Sequence, residues 1–314
     1  MDSCSLRTSL FNLEDAYKRF YDGSGYPRFK VKGVHESYKT NNIKSSYKGN
    51  NYNSIKLDLK NKTITLPKLK EVKIRGYRNK NIIPGEVKSA VIKKDVGKYY
   101  VSVLINEELI RPAFVPTSII GIDLGIKDLV VTSDGVKYGN EKVLTKYEKR
   151  LKRLQRKLSR QEKASKNYLK TKMKIARIYA KIKNYRKYYL NDIANEIVDE
   201  HDIIVTESLL VKDMFKEKVK AFNKSLSDAS LSKLCSLIEW KSKLKGKFYY
   251  KINAYYPSSQ ICSHCGYKNE NIKDLSIREY DCKECGTHND RDINASLNIL
   301  LEGLKLHYKL ESVV

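Results

Sequence analysis

The sequence predicts an α/β chain in which a strand-and-helix domain follows an antiparallel β module. Two short apolar strands, SIIGIDLGI and DIIVTESL, each close on an acid, stretches of helical periodicity lie between and after them, and two C-x-x-C pairs interrupt the approach to the last helix. At 314 residues the chain exceeds an average domain, so a main domain with smaller modules is expected. The predicted organisation is a helix and β-rich module over 1–112, an α/β core over 113–256 with a basic helical hairpin at 141–200, a cysteine ribbon over 257–288, and the closing part of the core over 289–314.

The opening stretch SLRTSLFNLEDAYKRFY places Leu6, Leu10, Leu13, Tyr17 and Phe20 at the spacing of one helix face, and GSGYPRFK then reads as a turn. SIKLDLKNKTITLP, EVKIRGYR and VKSAVIKKDVGKYYVSVLI alternate apolar and polar residues between Asn, Gly, Lys and Pro, the pattern of antiparallel strands. RPAFVPTS is a linker, and SIIGIDLGIKDLVVTSDG reads as strand, glycine turn and second strand. Two helical stripes follow, Leu144, Tyr147, Leu151, Leu154 and Leu158 on the first and Ile175, Ile178, Ile182 and Tyr185 on the second, with SRQEKASKN folding them into a hairpin. DIIVTESL is a buried type of strand, LSKLCSLIEWKSKLKG a helix, KFYYKINAYY another strand, and DINASLNILLEGLKLH a closing helix with Asp292 near its start.

A formal charge of +26, from 62 Lys and Arg against 36 Asp and Glu, repels itself unless an anionic partner neutralises it, and nucleic acid is that partner. A lysine- and tyrosine-rich composition from an A/T-rich genome would raise the charge without clustering it. Here Lys142 to Lys187 holds 19 Lys and Arg against 2 Glu, interleaved with Tyr147, Tyr168, Tyr179 and Tyr185. Solvated faces ordinarily mix both signs, so this segment predicts sequence-independent phosphate contact, with tyrosines packing the hairpin or stacking on bases. A run of about 18 apolar residues, needed to span a bilayer, is absent, and MDSCSLRTSL lacks the features of a signal peptide, so a cytoplasmic protein without membrane partners is expected.

A lone ionised carboxylate in an apolar strand costs several kcal/mol unless a cation or donors compensate it, roughly the scale of a buried unpaired ion. Asp123 in SIIGIDLGI and Glu207 at the end of HDIIVTES both have that setting, and Asp292 adds a third acid at a helix start. Singly, each has an ordinary explanation as a turn acid, a strand-end surface acid and a helix N-cap. Together, three acids from separate elements suit two Mg²⁺ ions, with Asp123 bridging and Glu207 and Asp292 completing the shells, for in-line displacement at phosphorus. Asp128 and Asp134 read as turn residues, and Asp290 competes with Asp292 within Asp290-Arg291-Asp292.

Cys262-Ser-His-Cys265 and Cys282-Lys-Glu-Cys285 lie 16 residues apart, each followed by glycine, Gly266 and Gly286. That spacing lets two turns present four thiolates to a structural Zn²⁺ with no open position for chemistry. His264 and His288 are then exposed neighbours. The ribbon is expected to staple the fold, support Asp292 and touch nucleic acid, while Cys4 and Cys235 remain as buried free thiols.

Taken in order, GIDLGIKDLVVTSDG, IIVTES, the PSSQICSHCG to CKECG ribbon and NDRDINASLNIL resemble the transposon-encoded TnpB family, which is similar to type V CRISPR effector nucleases. The resemblance covers most of the chain, including NLEDAYKRFYDGSGYPRFK and TLPKLKEVKIRGYR. It implies an RNase H-like (RuvC) domain with an inserted four-cysteine zinc ribbon, preceded by an incomplete helix plus antiparallel β module. It further implies an endonuclease that uses a guide RNA from the mobile element to choose a DNA target beside a short duplex motif, with base pairing reading the sequence. On that resemblance Asp123, Glu207 and Asp292 are the catalytic, Mg²⁺-binding acids, and Cys262, Cys265, Cys282 and Cys285 the zinc ligands. Asp292 takes precedence over Asp290 because the family's acid stands two residues before an Asn, here Asn294. The chain departs from the family in opening at MDSCSLRTSL, short of the usual N-terminal strand and helices, in carrying Ser208 and Leu210 near Glu207, and in the loop after Met214. The same residues suit two other readings: a truncated nucleic-acid-binding remnant without efficient cleavage, and a DNA-joining transposase or its accessory protein.

Overall fold

The computed structural model describes residues 2–29, 31, 36–47, 50–76, 86–106, 115–209, 220–274 and 276–308. The chain forms two compact units, Met1–Leu109 and Ile110–Val314. Leu210, the loop after Met214 and parts of the GYPRFK, EVKIRGYR and RPAFVPTS segments lie outside the described residues.

In the first unit, helix α1 (Ser3–Tyr21) starts on Asp2, whose carboxylate accepts from the Cys4 amide at 3.2 Å. The apolar stripe read from the sequence is not its packing face. Leu6, Leu10 and Leu13 are exposed, whereas Ser5 and Thr8 are buried. Burial of these hydroxyls is tolerated because they donate to the Asp2 and Cys4 carbonyls at 2.7 and 2.8 Å. Cys4 is half-buried, not buried as expected, because it sits beside the cap on the helix's first turn.

The alternating segments become strands β1 (Ser37–Asn41), β2 (Lys44–Tyr47), β3 (Asn50–Asn53), β4 (Lys56–Asp58), β5 (Thr63–Leu66), β6 (Lys70–Lys73), β7 (Glu86–Asp95) and β8 (Lys98–Asn106). They pair antiparallel as β1-β7-β8, β2-β3 and β4-β5-β6. Thr40 of β1 donates to the Asp2 carboxylate, tying the helix start to the sheet. Ile55, Ile64, Leu66 and Ala90 form the small core of this unit.

The second unit is built on a five-stranded sheet of β9 (Ile119–Asp123), β10 (Asp128–Thr132), β11 (Lys137–Gly139), β12 (Ile203–Glu207) and β13 (Phe248–Ile252), in the order β11-β10-β9-β12-β13. The first three strands pair antiparallel, while β12 runs parallel to β9 and β13. Between β11 and β12 come α2 (Val143–Ser159) and α3 (Lys166–Glu200), and between β12 and β13 come α4 (Lys220–Ala229) and α5 (Leu231–Lys245). Beyond β13, the hairpin β14 (Glu279–Asp281) and β15 (His288–Asp290) leads into α6 (Arg291–Tyr308). Asp128, expected in a turn, opens β10 and pairs with Gly139. The turn closes earlier, where the Asn140 side chain donates to the Ile126 carbonyl at 2.9 Å, and Asp134 is the acid that lies in a turn.

Successive strand residues face opposite sides of a sheet. Ile120, Ile122 and Ile204 pack with Leu190, Ile193 and Ile197 of α3 and Leu231, Leu234 and Ile238 of α5. Ile203, Val205 and Ile252 pack on the other face with Ile299 of α6. Two glycines bring α6 flush onto that face. A Cβ at Gly121 would run into the Ser296 carbonyl oxygen and lie 2.7 Å from the Leu300 Cβ, and one at Gly303 would collide with the Val205 side chain.

The predicted basic hairpin forms as α2 and α3, with the turn ended by Ser165, which accepts from the Tyr168 amide at 3.1 Å. Val143, Leu151, Ile178 and Ile182 fill its seam. Its base is clamped by the buried Asp228 of α4, which takes the Arg186 guanidinium of α3 and the Leu144 amide of α2.

Gly121→Ala should lower the unfolding free energy by about 1–3 kcal/mol, the usual cost of overpacking, and Gly303→Ala should do the same. Urea unfolding followed by circular dichroism measures both; unchanged midpoints would mean that α6 can withdraw from the sheet without loss.

Candidate active site and metal centre

Strand alternation puts Gly121 and Asp123 on one face of β9, and Val205 and Glu207 on the same face of β12. That face is the one α6 covers. The parallel register sets Ile122 beside Thr206, so Asp123 and Glu207 end their strands side by side. Thr206, facing the other way, is bonded at 2.8 Å to the Tyr249 hydroxyl. Because α6 lies flush on β9 and β12, its first turn brings Asp292 to the same strand ends.

All three carboxylates are half-buried. Asp123 is pushed up to about 7 by burial and by the negative charges of Glu207 and Asp292. Burial likewise pushes Glu207 up to about 7. The charges of Glu207 and Asp292 therefore bear on Asp123, yet the three acids are not drawn together into a single-ion cluster. Among the described residues, the group of three or more ligating side chains whose donor atoms lie within 4.8 Å of one another is that of the four cysteines.

Asp290 and Asp292 have different places. The Asp290 carboxylate caps α6, accepting from the Asp292 and Ile293 amides at 3.0 and 3.1 Å, and it also pairs with Lys137 at 2.6 Å. Against the raising effect of its burial, these bonds hold Asp290 below the usual carboxylate range. With the cap filled, the Asp292 carboxylate is free of the helix end and meets the Arg278 guanidinium at 3.3 and 3.4 Å. Arg278 was not legible in the sequence. It is one of many basic residues, and only the ribbon's folding brings it to the acid.

The ribbon consists of two equivalent knuckles. The Gly266 amide donates to Cys262 and the Cys262 amide to Tyr267, while the Gly286 amide donates to Cys282 and the Cys282 amide to Thr287, all at 2.9 Å. Gly266 and Gly286 have φ of 78° and 71°, the left-handed conformation that the turn requires and that glycine adopts without penalty. The Sγ atoms of Cys262 and Cys285 lie 3.8 Å apart, and those of Cys265 and Cys282 3.6 Å. A tetrahedron of four thiolates around Zn²⁺ has edges of about 3.8 Å for metal–sulfur bonds of about 2.3 Å, so the donor set fits zinc. The Thr287 hydroxyl and amide hold the Cys285 thiol down at about 6. Cys265, against the lowering effect of the Tyr267 amide, is pushed up to about 12 by burial and its sulfur neighbours. Metal uptake must therefore release protons. His264 is exposed, and the exposed His288 bonds Asp281 at 2.8 Å.

Fold and site together define an α/β protein with a four-cysteine ribbon set against the carboxylate-bearing end of its sheet. The chain belongs to the TnpB family, on the relatives it matches over nearly its whole length. It is 33% identical over 309 residues to a Streptomyces pristinaespiralis protein named "Putative RNA-guided DNA endonuclease", covering 97% of this chain and 72% of that one. It is 31% identical over 312 residues to the "Putative RNA-guided DNA endonuclease InsQ" of Escherichia coli (strain K12), covering 95% and 74%. Residues 101–218 match the model of the "Probable transposase" family, and 232–299 that of the "Cas12f1-like, TNB domain". Among solved structures, a Cas12f1-sgRNA-target DNA complex aligns over 90% of this chain and 74% of that one, with a TM-score of 0.44 and 17% identity. No helix among the described residues is long and apolar enough to cross a membrane.

Two outcomes are expected. Cys282→Ser should lower bound zinc and destabilise the fold, since a structural zinc contributes directly to folding; metal analysis alongside thermal melting measures both, and an undiminished melting temperature would count against a structural metal. The raised Asp123 carboxyl binds its proton more tightly in the folded than in the unfolded chain. In chelator, this group should therefore cost stability increasingly as pH rises from about 4 to about 7. The wild-type melting temperature should fall relative to that of Asp123→Asn across this window, and parallel curves would remove the assigned shift.

Proposed function

We propose that the chain is an RNA-guided DNA endonuclease of RuvC type, cleaving phosphodiesters with Asp123, Glu207 and Asp292 as its catalytic acids. The observation that carries this reading is the delivery of three acids from β9, β12 and α6 to one end of the sheet, close enough for Glu207 and Asp292 to raise Asp123. The strand order, with three antiparallel strands followed by two parallel ones, supports an RNase H-like assignment. The names of the relatives support the choice of guided DNA cleavage over strand transfer.

An acid trio that repels itself fits hard divalent cations, which take oxygen ligands. Asp123, Glu207 and Asp292 would hold a pair of Mg²⁺ ions. When bound, such ions supply Lewis-acid polarisation and an activated water. The chain's own residues do the rest. Burial at the strand ends limits water around the acids, and the Asp290 cap fixes the turn that bears Asp292. Arg278, half-exposed and touching Asp292 through one guanidinium nitrogen, keeps further donors for a phosphate oxygen.

Nucleic acid would be gripped by the hairpin. Lys149, Lys152, Arg153, Arg156, Lys157 and Arg160 line one open groove along α2, a row of cations suited to a phosphate backbone. In this reading base pairing with a guide RNA supplies the sequence, and the protein reads backbone shape and a short flanking motif. The Arg278–Asp292 pair also suits a second reading, in which the chain binds nucleic acid without cutting it.

One experiment separates the two. The protein is purified with the RNA of its native locus, and matching DNA is offered with Mg²⁺. Cleavage that disappears in Asp123→Ala while DNA binding persists is the expected result, whereas binding without cleavage by the wild type selects the second reading. Binding should also weaken steeply with salt, and replacing Arg153 and Arg156 by Ala should reduce the slope of log K against log salt by about 1 to 2. A slope unmoved by these changes would take the groove out of the interface.

A further inference from the structure

The helix that carries Asp292 presents an unusual buried face. Arg291, Asn294, Ser296 and Asn298 are at most 6% exposed, at positions where a helix on a sheet ordinarily buries hydrocarbon. Three of them use their polar atoms on the ribbon. Asn294 accepts from the Ser263 amide at 2.8 Å and donates to the Ile261 carbonyl at 2.7 Å. Asn298 donates to the same Ile261 carbonyl at 2.6 Å and to Ser258 at 2.8 Å. Arg291 donates to the Asp274 carbonyl at 2.6 Å, and its amide donates to the Arg278 carbonyl at 2.8 Å.

Ile261 and Ser263 are the two neighbours of Cys262. Asn294 thus holds the backbone on both sides of one zinc ligand, and it stands two residues beyond Asp292 on the same helix. A shift of the Cys262 knuckle cannot leave the first turn of α6 in place without breaking the two hydrogen bonds of the buried Asn294 side chain, each costly to leave unmade.

We infer that Asn294, seconded by Asn298, is a positioning residue that couples the four-cysteine site to the carboxylate trio, so that zinc in the ribbon raises the affinity of the trio for divalent cations. Coupling of this kind is reciprocal. A divalent cation at the acids must raise the zinc affinity of the ribbon by the same factor. The inference rests on the reading of the trio as a metal site.

The test uses the zinc-loaded full-length chain and Mn²⁺ as the probe. Mn²⁺ affinity is measured by electron paramagnetic resonance, and zinc affinity by competition with a chelating dye. Asn294→Ala, at full zinc stoichiometry, should weaken Mn²⁺ binding about tenfold, the lower end of the effect of losing an outer-shell partner, and its zinc affinity should no longer be raised by saturating Mg²⁺. Asn298→Ala leaves Ser263 held, and a loss of several-fold is expected there; it serves also if Asn294→Ala does not fold. Zinc-loaded variants that bind Mn²⁺ as the wild type does overturn the coupling alone. A wild type that binds no Mn²⁺ overturns the metal site and the coupling with it.

Discussion

The close approach of α6 to β9 and β12 is the constraint on which the second unit depends. Glycines at 121 and 303 remove the side chains that would hold the helix away, and the helix start is then fixed over the ends of the two strands. Had either position carried a Cβ, the helix would have to rise or shift, and Asp292 would leave the neighbourhood of Asp123. Core packing and site geometry are here the same contact. The alternation of each strand extends it: the positions that seat α6, Gly121 and Val205, are followed two residues later, on the same face, by Asp123 and Glu207.

Charge is distributed with equal consequence. The chain is strongly basic overall, and a dense group of cations lies on α2 and α3, while three acids meet at one end of the sheet. Three carboxylates gathered at one place would repel an anionic backbone if left uncompensated. In the proposed function a divalent cation reverses that sign, so that the lysine-rich hairpin and the acidic end of the sheet act on one substrate. Asp290, with its own ion pair to Lys137 and its capping bonds, is removed from this group although it is only two residues from Asp292.

Hydrogen bonds from α6 attach the ribbon. Small metal-stapled loops offer little apolar area for docking, and their turns leave many backbone amides and carbonyls unpaired. Asn294, Asn298 and Arg291 meet those groups directly. Such bonds are directional, so they orient the ribbon and the helix with respect to each other in a way that apolar contact alone would not.

Much of this was legible in the sequence. Alternating residues marked the β strands of the first unit, helical spacing marked α2, α3, α5 and α6, and the cysteine spacing with its two glycines marked the knuckles. These are local properties, set by the few backbone conformations open to short stretches of chain. The acids were identifiable because an ionisable group inside an apolar strand is anomalous on energetic grounds. What local chemistry could not decide was which face of an element meets which neighbour. The leucine stripe of α1 pointed to a core face, yet the helix buries Ser5 and Thr8, because hydroxyls bonded to their own helix can be buried at little cost. Asp128 looked like a turn residue and opens a strand. Asp290 and Asp292 could be told apart in sequence only by resemblance, and tertiary structure separates them by giving one the helix cap and the other Arg278. The residue types and their order were thus determined along the chain, whereas the pairing of Arg278 with Asp292 and of Asn294 with the Cys262 knuckle was decided by packing across the fold, where distance along the sequence has no bearing on contact.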